Sequence, residues 1–499
     1  MQSLNRQLVA VGTLGVEHTP DAPVRPVTIL QIGDGNFLRA FVDWMVDVAD
    51  AAGVLDAGVA IAQPLDAGIA TKLRAQGHVY TVLLRGIENG GEVVSRRVVT
   101  CVADALNPYA EWDHMLAYAV QPGLRFVVSN TTEAGIADVE EPFVEGNCPV
   151  SFPAKVAALL QARHKTLGGG ADCGLVFLPC ELIENNGTTL RRIVLRHAER
   201  WGLDAGFIKW VETHCHFLNT LVDRIVPGFP KDEAETLFAQ WGYRDSLAVA
   251  AEPFHVWVIE GPKQFAEELP LHKAGLNVVW TDDLQPYRTR KVRILNGAHT
   301  SSVLAAFCMG LDTVKAMMDD ATASAFLKAV MFEEIVPFVP LPEAERHQYA
   351  VTILERFGNP FIRHELLSIA LNSVSKWRVR VLPSLKDFAA AHGAVPRGLA
   401  FSLAALLWFY RGRMVDGAYV GSRDGTDYPI RDDAEVLATI EAAWASKGDD
   451  YHGLTNALLA QPALWGEDLT ALPGLAEQVA VGLAGIARDG MRAALASVR

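Results

Sequence analysis

Apolar residues follow two rhythms along this chain. Up to about residue 280 they come as short uninterrupted runs: VTILQI (27–32), GVAIAQ (58–63), LRFVVSN (124–130) and the opening of CGLVFLPCELIENNG (173–187). Each run ends in a polar or glycine-rich turn, which is the pattern of strands buried on both faces of a parallel sheet. HVYTVLLRG and EVVSRRVVTCV, joined through Asn89-Gly90, read as an antiparallel hairpin inserted among them. HFLNTLVD, EPFHVWVIEG and LNVVWT continue the strand pattern. From about 284 the rhythm becomes helical and rich in Ala, Leu and Val through to the C-terminus. The expected fold class is α/β: a doubly wound sheet with a hairpin insertion, followed by a mostly α-helical domain. The boundaries are a lead-in over 1–26 that ends in PDAPVRP, a first domain over 27–280 and a second over 281–499.

Composition narrows the possible partners. A chain of 499 residues is too long for one ordinary core. A net charge of -14 argues against nucleic acid, whose binding rests on lysine and arginine against phosphate. No uncharged apolar run reaches the roughly 18 residues of a membrane span, and the N-terminus lacks a signal-peptide pattern. Six cysteines, at 101, 148, 173, 180, 215 and 308, include no CxxC pair, so reduced thiols in a cytoplasm are expected. His214 and His216 would share one face of a strand, but no third ligand stands at a recognisable spacing and no metal is expected.

Two stretches carry chemistry. In the first, a strand ending at Ile32 leads through Gly33-Asp34-Gly35-Asn36-Phe37-Leu38-Arg39-Ala40 into FVDWMVDVADAAG, read as one helix. Gly33 permits a tight turn and Gly35 lets a pyrophosphate approach backbone N–H groups at a helix start, the makings of a Rossmann-like dinucleotide site. Leu38 replaces the third glycine of the usual fingerprint. The second strand ends in Gln63-Pro64 with Asp66 slightly late, which leaves the choice between NAD and NADP open. Ser129, Asn130 and Thr131, and then Glu181, Asn185 and Asn186, end later strands at the edge where such sheets bind ligands.

The second stretch is KVRILNGAHTSSVLAAF, in which Lys291, Asn296 and His299 punctuate an apolar helix. At about 100° per residue, Asn296 lies roughly 140° and His299 roughly 80° around from Lys291, so all three fit one side. A lysine half sunk in an apolar surface is suited to general base work, because desolvation disfavours the ammonium form. Gly297 costs such a helix about 1 kcal/mol relative to Ala, which makes sense if something approaches the backbone there.

With Gly33-x-Gly35-x-Phe37-x-Arg39-Ala40, NTTEAG, VDRI at 222–225 and Lys291-x4-Asn296-x2-His299, nearly the whole chain resembles the polyol-specific long-chain dehydrogenases, the mannitol dehydrogenase family. SNTTEAGI, PCELIENNG, HFLNTLVDRIVPG and RILNGAHT are most similar to the members that interconvert D-tagaturonate and D-altronate. The resemblance implies an NAD-dependent, metal-independent dehydrogenase in which Lys291 is the general acid/base. It implies that Asn186 and Asn296 donate to the developing alkoxide and that His299 fixes a substrate hydroxyl. Cofactor contacts fall to Ile32, Gly33, Asp34, Gly35, Asn36, Phe37, Arg39, Ser129, Asn130 and Thr131. Asp223 is expected at the substrate, as is Lys376, which stands where relatives carry an arginine after a serine and would bind a carboxylate. Arg288 departs from the family, which has an acidic proton relay three positions before the lysine. Mannonate, fructuronate and mannitol are the sibling substrates, a non-catalytic sugar-acid sensor is the rival of another class, and the expected assembly is a monomer or small homo-oligomer.

Overall fold

The computed structural model describes residues 1–12, 14–19, 23–132 and 134–498. Pro20–Ala22 of the lead-in and Glu133 of NTTEAG lie outside them. The chain divides into two compact units, Met1–Gly86 with Glu92–Leu284, and Ile87–Gly91 with Gln285–Arg499. Among the described residues no helix is long and apolar enough to cross a membrane.

In the first unit the short apolar runs are strands of one parallel sheet: β1 (Val27–Ile32), β2 (Gly58–Ala62), β3 (Val102–Leu106), β4 (Phe126–Ser129), β5 (Val176–Pro179) and β6 (His216–Phe217). Their spatial order is β6-β5-β4-β1-β2-β3, every pair parallel. The order reverses between β1 and β4, the topological switch point where such sheets take ligands. Uninterrupted hydrophobicity follows from the pleat. Ile29, Phe126, Val128, Val176 and Leu178 enter one core, while Leu30, Ile32, Val127 and Phe177 enter the other. Each such side chain contributes about 1.5–3 kcal/mol by leaving water, so both faces must be covered. Strands Tyr80–Glu88 and Gly91–Val99 are joined by Asn89 and Gly90, both at positive φ (53° and 74°), and form part of a separate four-stranded sheet. Asn219–Asp223, Val256–Glu260 and Val278–Thr281 make a further small sheet.

FVDWMVDVADAAG forms the expected helix as Val42–Ala51, but the turn before it is not irregular throughout: a short helix, Asn36–Arg39, precedes it and Phe41 breaks the ladder between them at φ -127°, ψ -78°. The carbonyls freed at the break are capped from outside: Tyr80 Oη donates to Arg39 O (3.1 Å) and Arg224 Nη1 to Ala40 O (2.8 Å). The second unit is also not helical throughout. Gly412–Val415, Ala418–Arg423 and Thr426–Pro429 form an antiparallel meander. Its turns are Asp416-Gly417 and Asp424-Gly425, all four residues at positive φ, a hairpin signal that the sequence does carry.

The core of the second unit is built on Arg397–Phe409, nearly all of it buried, and on Trp377, whose indole donates to Ser402 Oγ (2.9 Å).

Candidate active site

The glycine loop after β1 is assembled by side chains that point inward. Gly33, at φ +143°, has no room for a Cβ, which would stand 2.9 Å from both Asn130 O and Leu38 Cδ1. Its N–H donates to Ala62 O (2.9 Å), which ties the turn to β2. Gly35 is the opposite case: it is exposed, and a Cβ there would meet no protein atom within 4 Å. Ile32 is buried at the end of β1, and Asp34 Oδ2 accepts from Ile69 N (2.6 Å). Asn36 Oδ1 accepts from Arg39 Nη2 (2.7 Å), and Phe37 stacks on Phe41 with centroids 4.8 Å apart.

Arg39, expected at the cofactor, is buried. Its guanidinium donates to Asp34 O (3.3 Å), Asn36 Oδ1 and Leu247 O (2.6 Å), so it braces the loop from within. What remains presentable to a pyrophosphate is the backbone around Gly35 and Asn36, as a nucleotide loop requires. Gln63, after β2, is likewise internal: its amide holds Leu65 O, Asp66 O and Ala70 N, and it is Asp66 that is exposed.

Glu181 organises the loop after β4, a role the sequence reading missed. Buried at 2% exposure, it accepts from Ser129 Oγ (3.1 Å), Thr131 N (3.0 Å) and Thr131 Oγ1 (2.9 Å), and burial raises its pKa. Asn130 Nδ2 donates to Cys180 O (2.9 Å). The only available signal was an acid directly after an apolar strand.

Asn186 requires a correction. Its neighbour Asn185 adopts the left-handed conformation (φ 51°, ψ 45°) and starts the helix Asn186–Arg200 with Asn186 turned inward, 1% exposed. Nδ2 donates to Pro179 O (2.9 Å), Glu181 O (3.1 Å) and Thr220 O (3.2 Å), and Oδ1 accepts from Gly187 N and Thr220 N (2.9 Å each). Both amide hydrogens are thus engaged by carbonyls, leaving none directed to an alkoxide, and the residue fastens three chain segments instead. Asp223, 7% exposed, closes strand Asn219–Asp223 opposite Val256. The histidine pair is separated: His214 ends the helix Ala205–His214, and His216 opens β6 against the ring of Phe265. Among the described residues no group of three or more His, Cys, Asp or Glu is placed to hold a metal ion.

In the second unit, Lys291–Asn296 is not α-helical but a π-helical turn that runs into the α-helix Gly297–Cys308. An i→i+5 ladder puts residue i+5 about one turn beyond residue i, so Asn296 follows Lys291 on nearly the same side instead of about 140° away. Both are half-buried. Gly297 is explained by packing: a Cβ would stand 3.2 Å from Arg380 O and 3.7 Å from Ile335 Cδ1, which belongs to a second π segment, Val330–Ile335.

His299, 8% exposed, stacks on Phe357 (centroids 4.0 Å, planes 10° apart) and meets the His364 ring edge-on at 5.4 Å. Its Nε2 is buried and, among the described residues, has no hydrogen-bond partner. Burial, then His364, Arg356 and Arg380, push its pKa well below the ordinary value, so the ring is neutral at working pH. A neutral imidazole with one unmatched nitrogen is suited to holding a hydroxyl. Lys376, half-buried, donates to Ile369 O (2.9 Å), and burial followed by the charge of Arg380 lowers its pKa.

Comparison with known proteins adds ancestry to this geometry. Residues 27–273 match the mannitol dehydrogenase Rossmann domain and residues 283–487 the mannitol dehydrogenase C-terminal domain. The chain is 45% identical over 503 residues to altronate oxidoreductase of Yersinia enterocolitica, covering 100% of both proteins. It is 44% identical to that of Escherichia coli over 474 residues, covering 94% of this chain and 96% of the relative. Its fold is similar to crystalline D-sorbitol dehydrogenase in substrate-free form (TM-score 0.79, 24% identity, 99% and 100% covered). It is also similar to Pseudomonas fluorescens mannitol 2-dehydrogenase in its ternary complex with NAD and D-mannitol (TM-score 0.69, 22% identity, 99% of each chain).

Proposed function

Because the chain belongs to the mannitol dehydrogenase family, we propose that it is an NAD-dependent oxidoreductase interconverting D-tagaturonate and D-altronate. The observation that carries this reading is the end-to-end identity of 44–45% with altronate oxidoreductases from several bacteria. The nucleotide falls to the first unit, at the switch point between β1 and β4, where the open space at Gly35 and the exposed Asn36 backbone suit a pyrophosphate. Bound NAD supplies the hydride acceptor or donor. The acid/base work falls to the second unit. In oxidation Lys291 Nζ takes the carbinol proton, and in reduction it gives that proton to the ketone oxygen. Asn296 donates to the same oxygen where negative charge develops, and His299 Nε2 holds a neighbouring substrate hydroxyl. A lysine in this role makes a Lewis acid unnecessary, and EDTA treatment is expected to leave the rate unchanged. We place the enzyme in the cytoplasm, where its six free thiols stay reduced, acting on a small sugar acid as a monomer or small homo-oligomer without nucleic-acid or membrane partners.

The test is a panel of NADH-coupled reductions with D-tagaturonate, D-fructuronate and D-fructose. The expected outcome is that D-tagaturonate has the highest kcat/KM. A protein that prefers D-fructose would be a polyol dehydrogenase, and one that oxidises no NADH with any of the three would not be an enzyme of this class.

A further inference from the structure

The second unit concentrates positive charge around His299, from Arg356 and Arg380. Lys376 and Arg380 stand at i and i+4 on the helix Ser373–Arg380, a like-charge spacing that disfavours a helix by about 0.2–0.5 kcal/mol. Lys376 has Ile369 O as acceptor and Asp432 within electrostatic reach, but the Asp432 carboxylate is held by Tyr410 Oη and Val374 N. Arg380 is half-buried and, among the described residues, forms no ion pair with a carboxylate. Burial alone accounts for the lowering of its pKa, with no acid opposing it.

The helix end that bears Arg380 is locked in place, since its carbonyl faces the Cα of Gly297, two residues before His299. At His299 the charges of Arg380 and Arg356 and the ring of His364 all act in the same sense. The imidazole itself has a buried Nε2 with no partner among the described residues. Three chain segments therefore converge on a site with a guanidinium, that of Arg380, which meets no carboxylate among the described residues, and one unmatched polar nitrogen. A polyol, which is neutral, would gain nothing from such a field. A carboxylate would gain the planar fork of a guanidinium, which donates to both of its oxygens.

We propose that Arg380 binds the substrate carboxylate, with Lys376 reinforcing the field behind it, and thereby selects sugar acids over neutral sugars; this rests on the tagaturonate reading above. It moves the anion-binding role one helical turn from Lys376, whose ammonium already has a carbonyl acceptor. Arg380 is here a binding residue rather than an acid/base, so its removal acts on KM.

The experiment compares wild type, Arg380→Gln and Arg380→Lys with NADH and either D-tagaturonate or D-tagatose, its neutral counterpart. In Arg380→Gln, KM for D-tagaturonate is expected to rise about 10- to 100-fold with kcat within a few-fold, while kcat/KM for D-tagatose stays unchanged. Arg380→Lys is expected to recover part of the acid preference. If both folded variants keep the wild-type preference for the acid, or lose both substrates in proportion, Arg380 does not read the carboxylate. If wild type itself uses D-tagatose as well as D-tagaturonate, the substrate reading fails first, which separates the two failures.

Discussion

The nucleotide loop of the first unit and the lysine turn of the second use similar polar residues in opposite ways. Around β1 and β4, Arg39, Ser129, Asn130, Glu181 and Asn186 are matched by internal partners, and the element left open to a ligand is backbone at Gly35. Around Gly297, side chains themselves are left unmatched: among the described residues His299 Nε2 has no hydrogen-bond partner and Arg380 meets no carboxylate. The two regions thus differ in where hydrogen-bonding capacity is left over: backbone at Gly35 in one, a side-chain nitrogen of His299 in the other. Buried polar groups are almost always satisfied, so an exception inside a motif carries information.

The largest effect that sharpens this contrast is expected at Lys291. Lys291→Ala should lower kcat by about 10² to 10⁴-fold at unchanged NADH affinity, measured by steady-state rates and fluorescence titration. Next comes Asn186→Ala, which would strand Thr220 N and Gly187 N in the interior. Urea denaturation is expected to show a loss of about 2–3 kcal/mol, with kcat per folded molecule falling less than tenfold. A hundredfold fall in kcat at full stability would return Asn186 to the alkoxide. Gly35→Ala should leave urea stability unchanged, because its methyl meets no protein atom, yet weaken NADH binding about tenfold, readable by titration.

The smallest effect is a pH dependence beneath the loop. Burial raises the Asp43 carboxyl from its ordinary 3.8 to about 7, opposed by hydrogen bonds from Tyr80 and Gln31. A carboxyl raised in the native state contributes stability that is complete below the unfolded value near 4 and is lost as pH rises through 7. Asp43→Asn removes that dependence, so its melting temperature relative to wild type should rise between pH 5 and pH 8 by a few degrees.

Much of the first unit was legible in the sequence because two-sided burial leaves uninterrupted apolar runs and because Gly33, Gly35 and Asn89-Gly90 have local signatures. The meander at Gly412–Pro429 was equally legible through its two Asp-Gly turns, but the surrounding helical composition masked them. The inward turn of Asn186 was not, since it depends on the left-handed backbone of Asn185 and on the Thr220 carbonyl 34 residues away. The π turn at Lys291–Asn296 also escapes periodicity, because at the 3.6-residue spacing nothing in KVRILN marks a wider ladder. Arg380 carries no signal in the sequence, because its lack of an opposing carboxylate among the described residues exists only in the folded unit.

One variant tests most directly whether unmatched groups mark the substrate site. His299→Phe keeps the ring stacked on Phe357 and removes a buried nitrogen that none of the described residues satisfies. Measured together, kcat/KM for D-tagaturonate is expected to fall at least tenfold while the melting temperature holds or rises. A melting temperature that falls in step with activity would show His299 to be ordinary scaffold and would contradict the account.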